Sequence, residues 1–500
     1  MTSAAAHLGR RSDLRLGPVA WIAAAISLEV GLGLLAGGNA VPATLVLGAA
    51  AVAIIGLLCI LAPRQALFVL AGLWGATHTI MADFTLGHVG ALEVTLSRGL
   101  GLIVLFALGF VAVAPRLHGP SGRLPGSLVA LSLFALLFLA GAFAAPSTSD
   151  ALSDFVRVAS AVVIGVLAYR MIDTEDRLLR LARLVAIGGV VVAGVTIVQF
   201  ALIRVDRGLA ESIFGSSFYQ RSFTLSSDQY AVRVNGPLGG PGETANFLVV
   251  AAAFALLRYT LLRERGRSRA TLIALLTISA GVLATLTRTA LIALVCLFFV
   301  WAIQRQVRRG SAAATRLKVF TATCLVALVA VPLVGVQNIT ARLGDAAPSA
   351  GTNFAQGRGG IWAAEVDKFS SGSPLQIVMG HGPHSSYVPI ASHGVVNAES
   401  PHNLFLWLLV ETGLAGLLVY ALFLGGVAAT FLRALKKRRY EFAGQTASVA
   451  ISALVAYFVL DMFVLTVNSP GNRWYFMLLV GATLRAVTRP RADGVEGAAA

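Results

Sequence analysis

The sequence predicts an all-α polytopic membrane protein of about fourteen transmembrane helices, with about twelve as the alternative count, and three observations predict it. Of the 500 residues 57% are hydrophobic and only 12% charged, against about 25% charged in a soluble domain; the mean hydropathy is +0.80. Apolar runs of about 20 residues, the length a helix needs to cross hydrocarbon, recur along the chain. Lys and Arg concentrate in alternate connections between those runs, as short cytoplasmic loops require.

The runs fall near residues 18–36, 41–61, 66–82, 98–114, 126–145, 155–172, 183–203, 244–262, 270–287, 289–304, 318–336, 403–425, 445–466 and 474–488. Each must be helical, because backbone N–H and C=O groups find no water in lipid. The pair meeting at Arg288 also reads as one broken element. Basic residues precede the first run without a small-residue cleavage site after it, so that run is expected to be an uncleaved span.

With the N-terminus cytoplasmic, 28 of the 39 Lys and Arg fall inside, among them Arg64, Arg116, Arg123 and the clusters at 170–183, 258–269, 305–318 and 433–439. The chain therefore divides into N-terminal spans (1–203), a first outer loop (204–243), central spans (244–336), a large outer loop (337–402) and C-terminal spans with a cytoplasmic tail (403–500). Both termini are expected in the cytoplasm. The net charge of +16 is scattered between apolar runs rather than gathered on one face, which argues against nucleic acid as a partner. Cys59, Cys296 and Cys324 show neither disulfide nor zinc spacing.

Loops longer than about 15 residues are usually functional or disordered. The large one carries Phe354, Trp362, Phe369 and Tyr387, enough apolar surface to fold as a partly helical cap. Trp362, Val366 and Phe369 are at helical spacing within 359–369, the pattern of a short amphipathic helix at the membrane interface.

Charged groups at the outer boundary are costly unless they pair, snorkel or bind something. Arg288, in TLTRTALIAL, reads either as a snorkelling turn residue or as an anion site, since guanidinium matches phosphate oxygens bidentately. Arg233 precedes NGPLGGPGETANFL, where a helix opens and its free N–H groups favour an anion; an ordinary loop arginine is the other reading. Arg204, Arg207 and Arg221 make that loop basic, or pair with Asp206 and Asp228. His381, His384, His393 and His402 share the large loop, but no acid cluster completes a zinc set, so no metal and no cofactor are expected. His402 follows a proline where the chain re-enters the membrane, which places it in the first helical turn, and its near-neutral pKa suits it to take a proton from a hydroxyl. Glu411, deeper on the same helix, is expected to pair with a buried arginine. Asp461 is a similar intramembrane acid.

These segments resemble the O-antigen ligase and polymerase superfamily. Arg358, Trp362, Gly380, Gly382, His402, Asn403, Glu411, Gly413 and Gly416 follow the order of that family's pattern, and the R-x-x-G-x-x-x-x-P segment from Arg233 to Pro241 and the T-x-T-R turn ending at Arg288 are similar to it as well. The resemblance implies a GT-C-like, metal-independent, inverting glycosyltransferase of the bacterial inner membrane, with its site on the periplasmic face. It would move a glycan from an undecaprenyl-pyrophosphate-type donor onto a glycan or glycolipid acceptor, as in lipopolysaccharide and other polysaccharide biosynthesis in the cell envelope. By position, Arg233 and Arg288 would hold the diphosphate, Arg358 would assist from the loop and His402 would act as base, while Glu411, Trp362, Gly380 and Gly382 would be structural. A polymerase extending the lipid-linked glycan, and a transporter or flippase of that glycan, remain as alternative readings.

Overall fold

A computed structural model describes residues 67–68, 85–89, 92–95, 124–143, 145, 147–214, 219–223, 230–263, 265–266, 268–308, 358–386, 388–392, 395–399, 401–437, 441–463 and 470–488. Nine apolar helices are described. They are α1 (Gly126–Ala142), α2 (Thr148–Met171), α3 (Glu175–Val205), α5 (Pro241–Arg263), α6 (Arg269–Ala284), α7 (Arg288–Arg308), α10 (Leu404–Lys437), α11 (Phe442–Phe463) and α12 (Pro470–Thr488). Each coincides with an apolar run of the sequence, and the remaining five runs, apart from residues 67–68, lie outside the described residues. Segments of α2, α3, α5, α10 and α11 are long and apolar enough to cross a membrane, whereas α1, α6 and the apolar part of α7 are shorter. Arg288 divides two helices, α6 and α7, rather than interrupting one.

The two long loops hold α4 (Arg207–Phe214), α8 (Arg358–Ser370) and α9 (Pro374–Met379). They also hold something hydropathy did not predict: the antiparallel hairpins β3–β4 (Tyr219–Phe223, Tyr230–Val234) and β5–β6 (Val388–Ser392, Val395–Glu399), with a third, β1–β2 (Thr85–Val89, Leu92–Thr95), nearer the N-terminus. The expected helix at 359–369 is α8.

The centre of the bundle is α5, buried continuously from Thr244 to Leu257 and packed by α3, α6, α11 and α12. A helix apolar all round has to sit in such a place. Small residues let the backbones approach: a Cβ on Gly189 would come within 2.7 Å of Ala251 Cβ, and one on Gly281 within 2.6 Å of Ala193 Cβ. Outward faces of α1, α6, α7 and α10 expose Leu136, Ile273, Phe299 and Leu418, acceptable where the solvent is lipid.

Contacts sort the helix ends into two faces. At one, Trp474 Nε1 donates to Ser160 Oγ at 2.8 Å, Asn472 Nδ2 to the Glu243 carbonyl at 3.3 Å and Thr287 Oγ1 to the Pro241 carbonyl at 3.0 Å. At the other, Arg258 reaches the Leu179 carbonyl, Arg265 pairs with Glu175, and Arg485 lies over the Tyr169 ring. The charge parity of the sequence requires this same sorting.

Candidate active site at one end of the bundle

Arg233 reaches the turn before Arg288 through a threonine. In the β3–β4 ladder Arg233 faces Gln220, and the next residue, Val234, is anchored in a small cluster with Phe200 and Ala284. The chain then turns through Gly236, whose φ of +66 favours glycine and whose Cβ would come within 2.6 Å of Thr244. Thr244 Oγ1 donates to the Asn235 carbonyl at 2.6 Å, tying the turn to the start of α5. On the facing turn, Thr285 Oγ1 caps the Val282 carbonyl at 2.7 Å and accepts from the Thr287 amide at 3.3 Å. Thr287 Oγ1, while donating to Pro241, accepts from Arg233 Nη2 at 2.9 Å. Arg288 opens α7 immediately after it, half-buried. The Thr285 and Thr287 hydroxyls thus each use both the donor and an acceptor lone pair.

A second constellation surrounds the break in α10. At Gly413 the backbone departs from the helix (φ 64, ψ −167), which frees the carbonyls of Val410 and Glu411 from their usual partners four residues on. The His381 amide donates to Val410 O at 2.8 Å and the Gly382 amide to Glu411 O at 3.1 Å. Gly380 (φ 85) and Gly382 (φ 91) make that approach; a Cβ on Gly380 would overlap the Glu411 carbonyl, and one on Gly413 the Val378 carbonyl. The expected Glu411 to arginine pair is not what forms. The buried Glu411 carboxylate accepts from Ser386 Oγ at 2.6 Å and the Ser386 amide at 3.4 Å, because the loop docks hydrogen-bond donors over it before any arginine reaches it.

His402 stands outside α10. Asn403 is the cap, its Oδ1 accepting from the Phe405 and Leu406 amides at 3.0 and 3.2 Å, so the first-turn placement expected from Pro401 is corrected by one capping residue. Trp362 Nε1 donates to the Pro401 carbonyl at 2.7 Å, pinning α8 against the chain just before His402. Of Arg358, the described facts place only its backbone, at the start of α8.

Among the described residues, the non-glycine positions with positive φ are Leu286 (53), His384 (65) and His402 (47). All three lie in the turns that the family pattern singles out. Such conformations cost about 1–3 kcal/mol each and persist where the surroundings impose them, often at functional sites.

Sequence reasoning passed over Asp154. Its Oδ1 pairs with Arg157 at 2.8 Å and its Oδ2 with His384 Nδ1 at 3.4 Å, while His384 Nε2 lies 4.0 Å from Asp150. That hydrogen bond to Asp154 raises the His384 pKa. Asp150 and Asp154, one helical turn apart at the start of a span, were the available signal. Burial pushes Glu365, inside α8, up to about 7, and burial with Lys368 nearby lowers His381. In the first outer loop, Arg207 pairs with Glu211 at 2.8 Å, and Asp206 caps the Leu209 amide instead of pairing.

Beside Asn403 an apolar groove of about 710 Å³ opens between α8, α10 and α11, lined by Trp362, Val366, Phe405, Leu406, Phe458 and Met462. Helix α7, which begins at Arg288, packs along α11, and α11 along α10. The arginine pair and His402 therefore belong to adjoining elements of one bundle end.

No curated protein matches the chain. Residues 273–421 match the family model described as O-antigen ligase, a stretch that takes in Arg288, Arg358, Trp362, Gly380, Gly382, His402 and Glu411 and leaves Arg233 upstream. Over this segment, whose turns are those that carry Arg288, the Gly380–Glu411 contact and His402, the chain is similar to the O-antigen ligase family.

Proposed function

We propose that the protein is a glycosyltransferase that moves a glycan from a lipid pyrophosphate of the undecaprenyl type to an acceptor at the outer face of the inner membrane. The observation that carries this reading is the Arg233 to Thr287 hydrogen bond, which brings the Arg233 guanidinium to the residue before Arg288, at the start of α7. Backbone N–H groups at a helix start and bidentate guanidinium donors are the groups that a diphosphate requires.

In this mechanism Arg233 and Arg288 hold the diphosphate, with Arg358 assisting from α8. His402 takes the proton of an acceptor hydroxyl. The hydroxyl oxygen bonds to the anomeric carbon from the face opposite the diphosphate, the carbon to phosphate-oxygen bond breaks, and configuration inverts. Diphosphate is already a good leaving group, so positioning and charge stabilisation are the protein's contribution, and no metal or cofactor is invoked. The apolar groove beside Asn403 suits the chain of a lipid-anchored substrate. A GT-C-like architecture and a ligase rather than a polymerase complete the reading; the acceptor separates those two.

The test incubates the purified chain with a lipid-linked oligosaccharide and a panel of acceptors and follows release of the lipid pyrophosphate. Release is expected, with resistance to EDTA and loss in both His402→Ala and Arg288→Ala. Activity surviving both substitutions sinks the mechanism. Transport of intact donor without bond cleavage favours a flippase.

A further inference from the structure

A further basic residue at this end of the bundle has no hydrogen-bond acceptor among the described residues. Arg473, in the first turn of α12, is 6% exposed, and its Nε, Nη1 and Nη2 are all enclosed without a hydrogen-bond acceptor. Guanidinium does not deprotonate in proteins, and a buried charge is tolerated only when it is paired or hydrogen-bonded. Asp154 acts on it through space but is hydrogen-bonded to Arg157 and His384, and Asp461, one turn beyond Tyr457 on α11, acts on Tyr420.

Arg473 borders a cavity of about 30 Å³ shared with Leu404, Trp407, Tyr420, Tyr457 and Met477. A water molecule needs roughly 10–15 Å³ of such space, so the cavity admits one or two waters or one monatomic ion, and no phosphate. Its wall, to which Ala161 of α2 also contributes, is otherwise apolar, and the Arg473 guanidinium and the Tyr420 and Tyr457 hydroxyls are all able to donate into it. Water could bridge the guanidinium to those hydroxyls but brings no charge, whereas a halide accepts from the guanidinium and from both hydroxyls and brings the negative charge that Arg473 lacks at hydrogen-bond distance.

We propose that the cavity at Arg473 is a binding site for a single halide-sized anion, chloride, which neutralises the guanidinium and joins α12 to α1, α2, α10 and α11. The site is separate from the arginine pair of the proposed transfer reaction and does not depend on it.

The deciding experiment is equilibrium retention of radioactive chloride by the purified full chain in detergent, with gluconate holding ionic strength constant. One chloride per chain is expected, displaced by bromide and not by gluconate. Arg473→Met should lose it. Should that variant fail to fold, Ala161→Leu, which fills the cavity and keeps the arginine, should lose it too, with gel filtration reporting the fold. A wild-type chain that retains no chloride overturns the proposal, as does undiminished retention in Ala161→Leu.

Discussion

Arg233 Nη2 and Thr287 Oγ1 are 2.9 Å apart, although 54 residues separate them in sequence. The hydroxyl donates onward to the Pro241 carbonyl, so one side chain aligns an arginine, a helix start and the turn before Arg288. Thr287→Val keeps the shape and removes both bonds. A hydrogen bond to a charged group contributes about 1.5–3 kcal/mol, so the donor KM should rise about tenfold or more with the chain still folded. Steady-state kinetics on a lipid-linked donor, with gel filtration as control, measure this; an unchanged KM would separate Arg233 from donor binding.

Gly413 and Gly380 occupy positive φ and meet backbone where a side chain would go. Alanine at either should cost about 3 kcal/mol or more and lower the apparent Tm by several degrees or prevent accumulation of folded protein. Gly194, in α3, has nothing within 4 Å of its Cβ position, and Gly194→Ala should be neutral or slightly stabilising. Thermal unfolding of the three variants side by side distinguishes the close approach from a general dislike of substitution.

Glu411 acts as an acceptor for the docked loop, so Glu411→Gln, which keeps a carbonyl oxygen facing Ser386, should retain most stability and turnover. Glu411→Ala leaves the Ser386 hydroxyl and amide without an acceptor, at about 1–3 kcal/mol, and Ser386→Ala should approach it in effect. If Gln were as inactive as Ala, the carboxylate would be taking part in chemistry.

The pH dependence of stability has a definite sign. Glu365 rises from 4.5 when unfolded to about 7 in the fold, so the folded chain holds an extra proton between those values and loses stability as pH climbs through them, on the order of 3 kcal/mol in total. His384, raised by Asp154, adds to the same trend: its contribution is full below 6.5 and fades as pH passes its folded value. Glu365→Gln should flatten the fall and exceed the wild type above pH 7. Apparent Tm across pH 4 to 8 measures it, and parallel curves would refute the assignment.

Much of the fold was legible in residue order. Nine helices appear where apolar runs of membrane length stand, because in lipid a run of that length has no other way to satisfy its backbone. The basic residues foretold how helix ends sort into two faces. Arg233, Arg288 and His402 could be singled out as candidates, since turn residues and charges at span ends are local signals.

What the sequence by itself determined was therefore what each segment must be: a lipid-spanning helix, a turn, an interfacial helix with a polar and an apolar side. Only the tertiary structure decided which segments face one another. Nothing local tells that Thr287 serves Arg233, that Ser386 rather than an arginine meets Glu411, that Asp154 holds His384, or that Asn403 caps α10 and leaves His402 outside it. Those partners are chosen by burial, where each enclosed donor or acceptor takes whatever group the packed helices bring within reach. Hydropathy was equally silent about the hairpins, whose strands are held by pairing with each other and not by any apolar run.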